Sequence, residues 1–158
     1  MNKNQLHALI IEKLQADLMV AKSALQASHE AATHSESKAE NKYDTRGLEA
    51  AYLADGQRRR VHEIEVALSG FRNLPIRAHV NEAITLGALI ELDGDNGCRW
   101  VFLGPDAAGA QIIIDNASVL LISPRSPLGH ALLGLFEGDE VQVAVAGRPQ
   151  RFLIVSVL

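Results

Sequence analysis

Residues 1 to 73 contain no proline, and Ala, Leu, Glu, Lys and Gln dominate them, so the first half of this 158-residue chain carries no obligate helix break. Within it Ile11, Leu14, Leu18, Ala21, Leu25, Ser28 and Ala32 follow one another at intervals of three and four. Ala50, Ala54, Gln57, Val61, Ile64, Leu68 and Phe71 repeat the same alternation. Each series is a heptad seam, and each helix alone would expose an apolar stripe. The stretch ENKYDTRGLE (40–49) that separates them is short enough to fold one helix back on the other. An antiparallel coiled-coil hairpin follows, spanning 1–73, with an acidic tip at about 36–49. Both seams shrink toward the connector, where Ser28 and Ala32 face Ala50 and Ala54, and small side chains make a thin tip. At about 1.5 Å per residue, roughly 28 residues of helix reach on the order of 40 Å.

The period changes after Pro75. TLGALIEL (85–92), RWVFLG (99–104), AQIIID (110–115), SVLLIS (118–123), DEVQVAV (139–145) and QRFLIVSV (150–157) are short Val/Ile/Leu-rich runs, and GDNG (94–97) and AGRP (146–149) are turn chemistry between such runs. At least two hairpins are expected. SPLGHALLGLFEGDE (126–140) departs from the pattern: Ser126 then Pro127 is an N-cap followed by an N1 proline, and Gly134 ends a short apolar run. One short helix on an antiparallel sheet makes residues 74–158 a small α+β domain. The junction FRNLPIRAHV, with its single proline, is a candidate hinge.

Composition narrows the function. The chain is 47% apolar with a formal charge of −4, which excludes wholesale disorder and the broad basic face that duplex nucleic acid requires. No apolar run is long enough for a membrane span, and Glu12 and Asp17 interrupt the N-terminus where a signal peptide needs an apolar core, so a cytoplasmic protein is expected. The single Cys98 precludes an intrachain disulfide and is expected to be a buried or semi-buried structural thiol; Trp100 is expected in the core. His7, His29, His34, His62, His79 and His130 lack metal-ligand spacing. Arg58, Arg59 and Arg60 span most of a helical turn and point in different directions, as on a solvated face.

A helical hairpin with a charged tip, followed by a small sheet domain containing SPLGHALLGLFEGDEV, resembles the bacterial GreA/GreB transcript cleavage factors. The order Ser126, Pro127, Leu132, Leu133, Gly134, Gly138, Asp139, Glu140, Val141 carries the likeness, with the tail QRFLIVSVL resembling the family's closing strand. The resemblance implies an FKBP-like C-terminal domain that docks on the rim of the RNA polymerase secondary channel through Ser126, Pro127, Leu132, Leu133 and Gly134. It also implies a coiled coil that enters the channel. The chain itself would be no enzyme, because the tip would complete the polymerase's own two-metal nuclease site and stimulate cleavage of backtracked RNA.

In the family's tip an Asp is followed three residues later by a Glu, and then by a tyrosine. Here Asp44 and Tyr52 fit the ends, Gly47 stands at the middle position, and the next carboxylate is Glu49. The resemblance therefore implies that Asp44 and Glu49, or Glu40, share a Mg2+ held with the polymerase, that Lys42 and Arg46 meet RNA phosphate or a polymerase acid, and that Tyr43 stacks on the displaced 3′ base of the nascent RNA. The residues also allow plainer roles: Asp44 or Thr45 as a helix cap, Tyr43 in local packing, Gly47 in a turn. Three alternatives stay open at this point. They are a channel-binding inhibitor or modulator without cleavage stimulation, an FKBP-like prolyl isomerase, which needs an aromatic-lined pocket, and a coiled-coil interaction module. Oligomeric state is open as well.

Overall fold

The computed structural model describes residues 1–33 and 46–158. Glu40, Lys42, Tyr43, Asp44 and Thr45 lie outside the described residues. The chain divides into two compact units: Glu12–Ser69 is one, and Met1–Ile11 together with Gly70–Leu158 is the other.

Two helices make the first unit, α1 (Lys3–Thr33) and α2 (Arg46–Arg72), both continuing into the second. The seams are buried as the heptads require. Leu14, Ala21 and Ser28 from α1 and Ala54, Val61, Ile64 and Leu68 from α2 are shielded from solvent, and Leu18 and Leu25 pack on the cluster of Ala21, Val61 and Ile64. Lys22 and Glu65 bridge the two helices at 3.5 Å. The Arg58–Arg60 run forms pairs within its own helix, Arg58 and Arg59 to Asp55 and Arg60 to Glu63, at 3.8 to 4.0 Å with exposed side chains. Such pairs contribute about 0.5 kcal/mol at most.

The second unit is a six-stranded sheet of β1 (Leu89–Gly94), β2 (Gly97–Leu103), β3 (Gln111–Ile114), β4 (Ala117–Ile122), β5 (Glu140–Val145) and β6 (Arg148–Val157), in the order β3-β4-β2-β1-β6-β5. All six apolar runs form strands, with the first starting at Leu89, because Ala88 N bonds back to Thr85 O in a turn. Three hairpins join consecutive pairs. The β5–β6 turn uses Ala146 and Gly147, and the β3–β4 turn uses Asp115 and Asn116, all with positive φ, the backbone that two-residue hairpin turns demand. Not every pair is antiparallel: β4 runs parallel to β2, so the sheet is mixed. The reason is that β3 lies at the outer edge and the hairpin turn brings β4 back between it and β2, so β4, antiparallel to β3, runs in the direction of β2.

Strand alternation sends two apolar sets to opposite faces. On one, Ile90, Leu92, Val101, Leu103, Ile122, Val141, Val143, Phe152 and Ile154 form the main core with Leu132 of the short helix α3 (Pro127–Leu132). On the other, Phe102 stacks on Phe71 at 6.4 Å between ring centroids. Cover on that face weakens toward the β1–β2 turn. Trp100, one alternation step from Phe102, is therefore only partly buried, and Cys98, one further step out, is exposed with its Sγ 3.7 Å from Asp93 Oδ1. Neither takes the core position expected of it. The Cys98 thiol is held above its ordinary pKa by local desolvation and by the Asp93 and Glu91 carboxylates, which makes it a poor nucleophile.

The start of α1 is fastened to the sheet unit by polar groups. Asn2 Oδ1 caps the helix, accepting from Asn4 N at 2.9 Å and Gln5 N at 3.2 Å. Lys3 Nζ donates to the carbonyls of Arg77, Gly87 (3.1 Å) and Leu158 (2.7 Å) and lies 3.1 Å from His79 Nδ1. His79 is buried, with Nε2 3.0 Å from Thr85 Oγ1. Burial and the Arg77 charge bring Lys3 down to about 8. Burial, then the Lys3 and Arg77 charges, hold His79 below its ordinary value.

Candidate docking surface

The motif that opens α3 is built by one hydroxyl. Ser126 Oγ donates to Ser123 O at 2.7 Å, accepts from Gly129 N at 3.2 Å and from Ser123 N at 3.3 Å, and so closes a loop and caps a helix at once. Pro127 follows at N1, where its missing N–H costs nothing, and its ring is exposed. Gly129 is required by space: an added Cβ would lie 1.9 Å from Ser123 O. The helix stops after Leu132, Gly134 takes a left-handed φ of 82°, and its N–H bonds to Ile84 O at 3.0 Å.

The residues of this motif therefore divide by location. Pro127 and Leu133 are on the surface, Ser126 is half-buried and occupied with capping, and Leu132 is fully buried in the core beneath. Gly134 is exposed and serves the helix stop.

A six-residue helix covers about 9 Å of sheet, whereas six strands at ~4.8 Å spacing span roughly 24 Å. Part of the α3-side face is left open as a result. The opening is a groove of about 440 Å³ whose apolar lining includes Leu120, Leu128, Val143, Val145 and Phe152, with Ser126 and Pro127 on its wall. Phe152 is the one aromatic among its described lining residues, and Arg99 Cζ lies 4.6 Å over its ring. Trp100 and Phe102 belong to the opposite face, and Phe136 is exposed elsewhere. The aromatic-lined pocket that a prolyl isomerase needs is not formed here.

At the hairpin, Glu49 is exposed in the first turn of α2, where its carboxylate also suits the helix dipole. Tyr52 is exposed one turn further on. Arg46 is the first residue of α2. Asp44, Lys42 and Tyr43 fall outside the described residues. Among the described residues, no three His, Cys, Asp or Glu side chains gather as a metal site, and no helix is long and apolar enough to cross a membrane.

Sequence reading missed the cap loop at Ser123, the steric demand at Gly129 and the open half of the sheet face. The first two had a signal in SPRSPLG, where a serine stands three residues before the capping serine and a glycine sits inside a helix. The groove had none, since it depends on which strands the helix reaches.

Comparison with known proteins places these features in a wider group. Residues 81–158 match the family described as transcription elongation factor GreA/GreB, C-terminal domain. The chain is 35% identical over 115 residues to transcription elongation factor GreA of Solidesulfovibrio magneticus, covering 70% of this chain and 66% of that one. It is 32% identical over 115 residues to the GreA of Nitratidesulfovibrio vulgaris, covering 70% and 68%. Similarity to the GreA of Alkalilimnicola ehrlichii runs through both units, at 29% identity over 166 aligned positions and 99% and 98% coverage.

Proposed function

Since this chain belongs to the GreA/GreB family of transcription elongation factors, we propose that it docks on bacterial RNA polymerase through the α3 surface and inserts its hairpin tip into the secondary channel to stimulate RNA cleavage. The single observation that carries the reading is the hairpin itself. Among the described residues its buried seam reaches Ser28 and Ala54, small residues that let the helices lie close, and beyond Ala54 the first turn of α2 carries the exposed carboxylate of Glu49. Carboxylates at such a place stabilise no core, and a narrow helical pair is a suitable carrier for them into another protein's active site.

Asp44 and Glu49 offer oxygen donors, the ligand type that Mg2+ prefers. Together with the polymerase's own ligands they would hold a second Mg2+, which supplies an activated water and charge stabilisation for phosphodiester hydrolysis. Glu49, or Glu40, orients the water; Lys42 and Arg46 hold RNA phosphate or a polymerase acid; Tyr43 stacks on the displaced 3′ base. The chain contributes positioning and charge and has no complete active site of its own.

The test is RNA cleavage in stalled polymerase complexes. Wild type should accelerate cleavage, and Asp44→Asn and Glu49→Gln should each lower the rate at saturating factor by at least about tenfold, the size of a lost charge-assisted contact, with polymerase affinity kept. Wild type that binds polymerase yet leaves cleavage at background at every Mg2+ concentration refutes stimulation and favours a channel-binding inhibitor or modulator. A wild-type protein that does not bind polymerase refutes the reading as a whole.

A further inference from the structure

Arg58, Arg59, Arg60, Arg77 and Arg125 each lie within 4.0 Å of a carboxylate. Arg99, Arg148 and Arg151 form no ion pair among the described residues, although they line one recess of about 180 Å³ with Asp95, Asn96 and Gln150. Three cations against one carboxylate is a concentrated positive spot on a chain whose formal charge is −4. The recess adjoins the apolar groove, because Arg99, Gln150 and Phe152 line both.

Arg99 is held for binding in advance. Its guanidinium lies over the Phe152 ring, and that ring is fixed against Gly94, where an added Cβ would come within 2.6 Å of Phe152 Cδ1. A guanidinium stacked on an aromatic face keeps its in-plane N–H groups free, and that fork matches a carboxylate in two parallel hydrogen bonds. Fixing the donor beforehand lowers the entropy lost on binding.

We infer that the docking surface has two parts: the apolar groove receives an apolar side chain of the polymerase, and Arg99 with Arg148 pairs with a carboxylate close by on the same polymerase segment. This rests on the docking reading above and identifies the kind of segment that docks. The surroundings favour a protein carboxylate over nucleic-acid phosphate. The net negative chain repels a polyanion at long range, and the one aromatic face in the recess is already taken by Arg99, leaving no platform for a base.

The experiment measures affinity of the full chain for polymerase at low and high salt, for wild type, Arg99→Gln, Arg148→Glu and Leu128→Ser. Arg148 is exposed at the start of β6, so its variant keeps the fold even where Arg99→Gln disturbs Phe152. The expected result is about tenfold or weaker binding for each arginine variant at low salt, with a flatter salt dependence, and a salt-independent loss for Leu128→Ser. Wild-type affinity in both arginine variants with loss in Leu128→Ser overturns the inference and leaves docking standing. Wild-type affinity in all three overturns docking and the inference with it. A single-stranded RNA oligonucleotide serves as the second probe: arginine-dependent RNA binding with unchanged polymerase affinity assigns the recess to phosphate and overturns the inference.

Discussion

Gly129→Ala sets two opposite effects of the same methyl group against each other. In a helix Ala is favoured over Gly by about 1 kcal/mol. At position 129, however, the new Cβ would sit 1.9 Å from Ser123 O and 2.9 Å from Ser126 Oγ, whereas ordinary contact begins at 3.4 Å. The nearer obstacle is main chain, so no rotamer change relieves it. Either α3 or the Ser123 turn must retreat by about 1.5 Å, the difference of those two distances. Ser126 Oγ then loses its hold on Ser123 O and Gly129 N, worth about 1 kcal/mol as a cap, and Leu132 is drawn from a fully buried site. Overpacking adds about 1–3 kcal/mol. The net expectation is destabilisation of the sheet unit by about 1–3 kcal/mol, or a midpoint lowered by on the order of 10 °C.

Gly56→Ala is the matched control. Gly56 lies inside α2 with nothing within 4 Å of an added Cβ, so only the propensity gain remains, about 0.5–1 kcal/mol of stabilisation. The two units need separate probes. Fluorescence of Trp100, the single tryptophan, reports the sheet unit during urea unfolding, and far-UV circular dichroism reports mainly the long helices. A Gly129→Ala protein whose Trp100 transition falls at or above the wild-type midpoint would refute the steric account of α3.

Gly104→Ala meets the opposite face of the sheet: its Cβ would come 2.5 Å from Phe71 Cζ, and Phe71 is fully buried and stacked on Phe102. A loss of about 1–3 kcal/mol is expected in the same Trp100 transition. His79 supplies a pH dependence. Its folded pKa is depressed below the ordinary 6.5 by burial and by the Lys3 and Arg77 charges, so below 6.5 the unfolded chain takes up a proton that the fold rejects. The associated stability is present above the unfolded pKa and is lost as pH falls from there toward the folded value. His79→Gln should flatten urea midpoints measured between about pH 7 and pH 5 relative to wild type.

The parts of the molecule readable from the sequence are those governed by neighbours a few residues apart. Heptads placed Leu14, Ala21, Val61 and Ile64 in the hairpin seam, and Ser126–Pro127 marked the start of α3, because periodicity and capping are local. Cys98 and Trp100 failed for a reason of the opposite kind. Their strand was identified, yet their exposure depends on how far Phe71, 27 and 29 residues earlier in sequence, extends over the face they share with Phe102. The parallel β2–β4 pair has the same origin, since no residue in either strand encodes which neighbour the β3–β4 hairpin selects. The docking surface combines both kinds. Pro127 at its rim is a local signal, whereas the groove exists because a six-residue helix is too short for the sheet it lies on, and Arg99 gains its place from Phe152, 53 positions away. Recognition on this surface should thus be sensitive to changes at Gly94 and Gly129 as well as at the lining side chains, because these two glycines let the ring and the helix settle where they do.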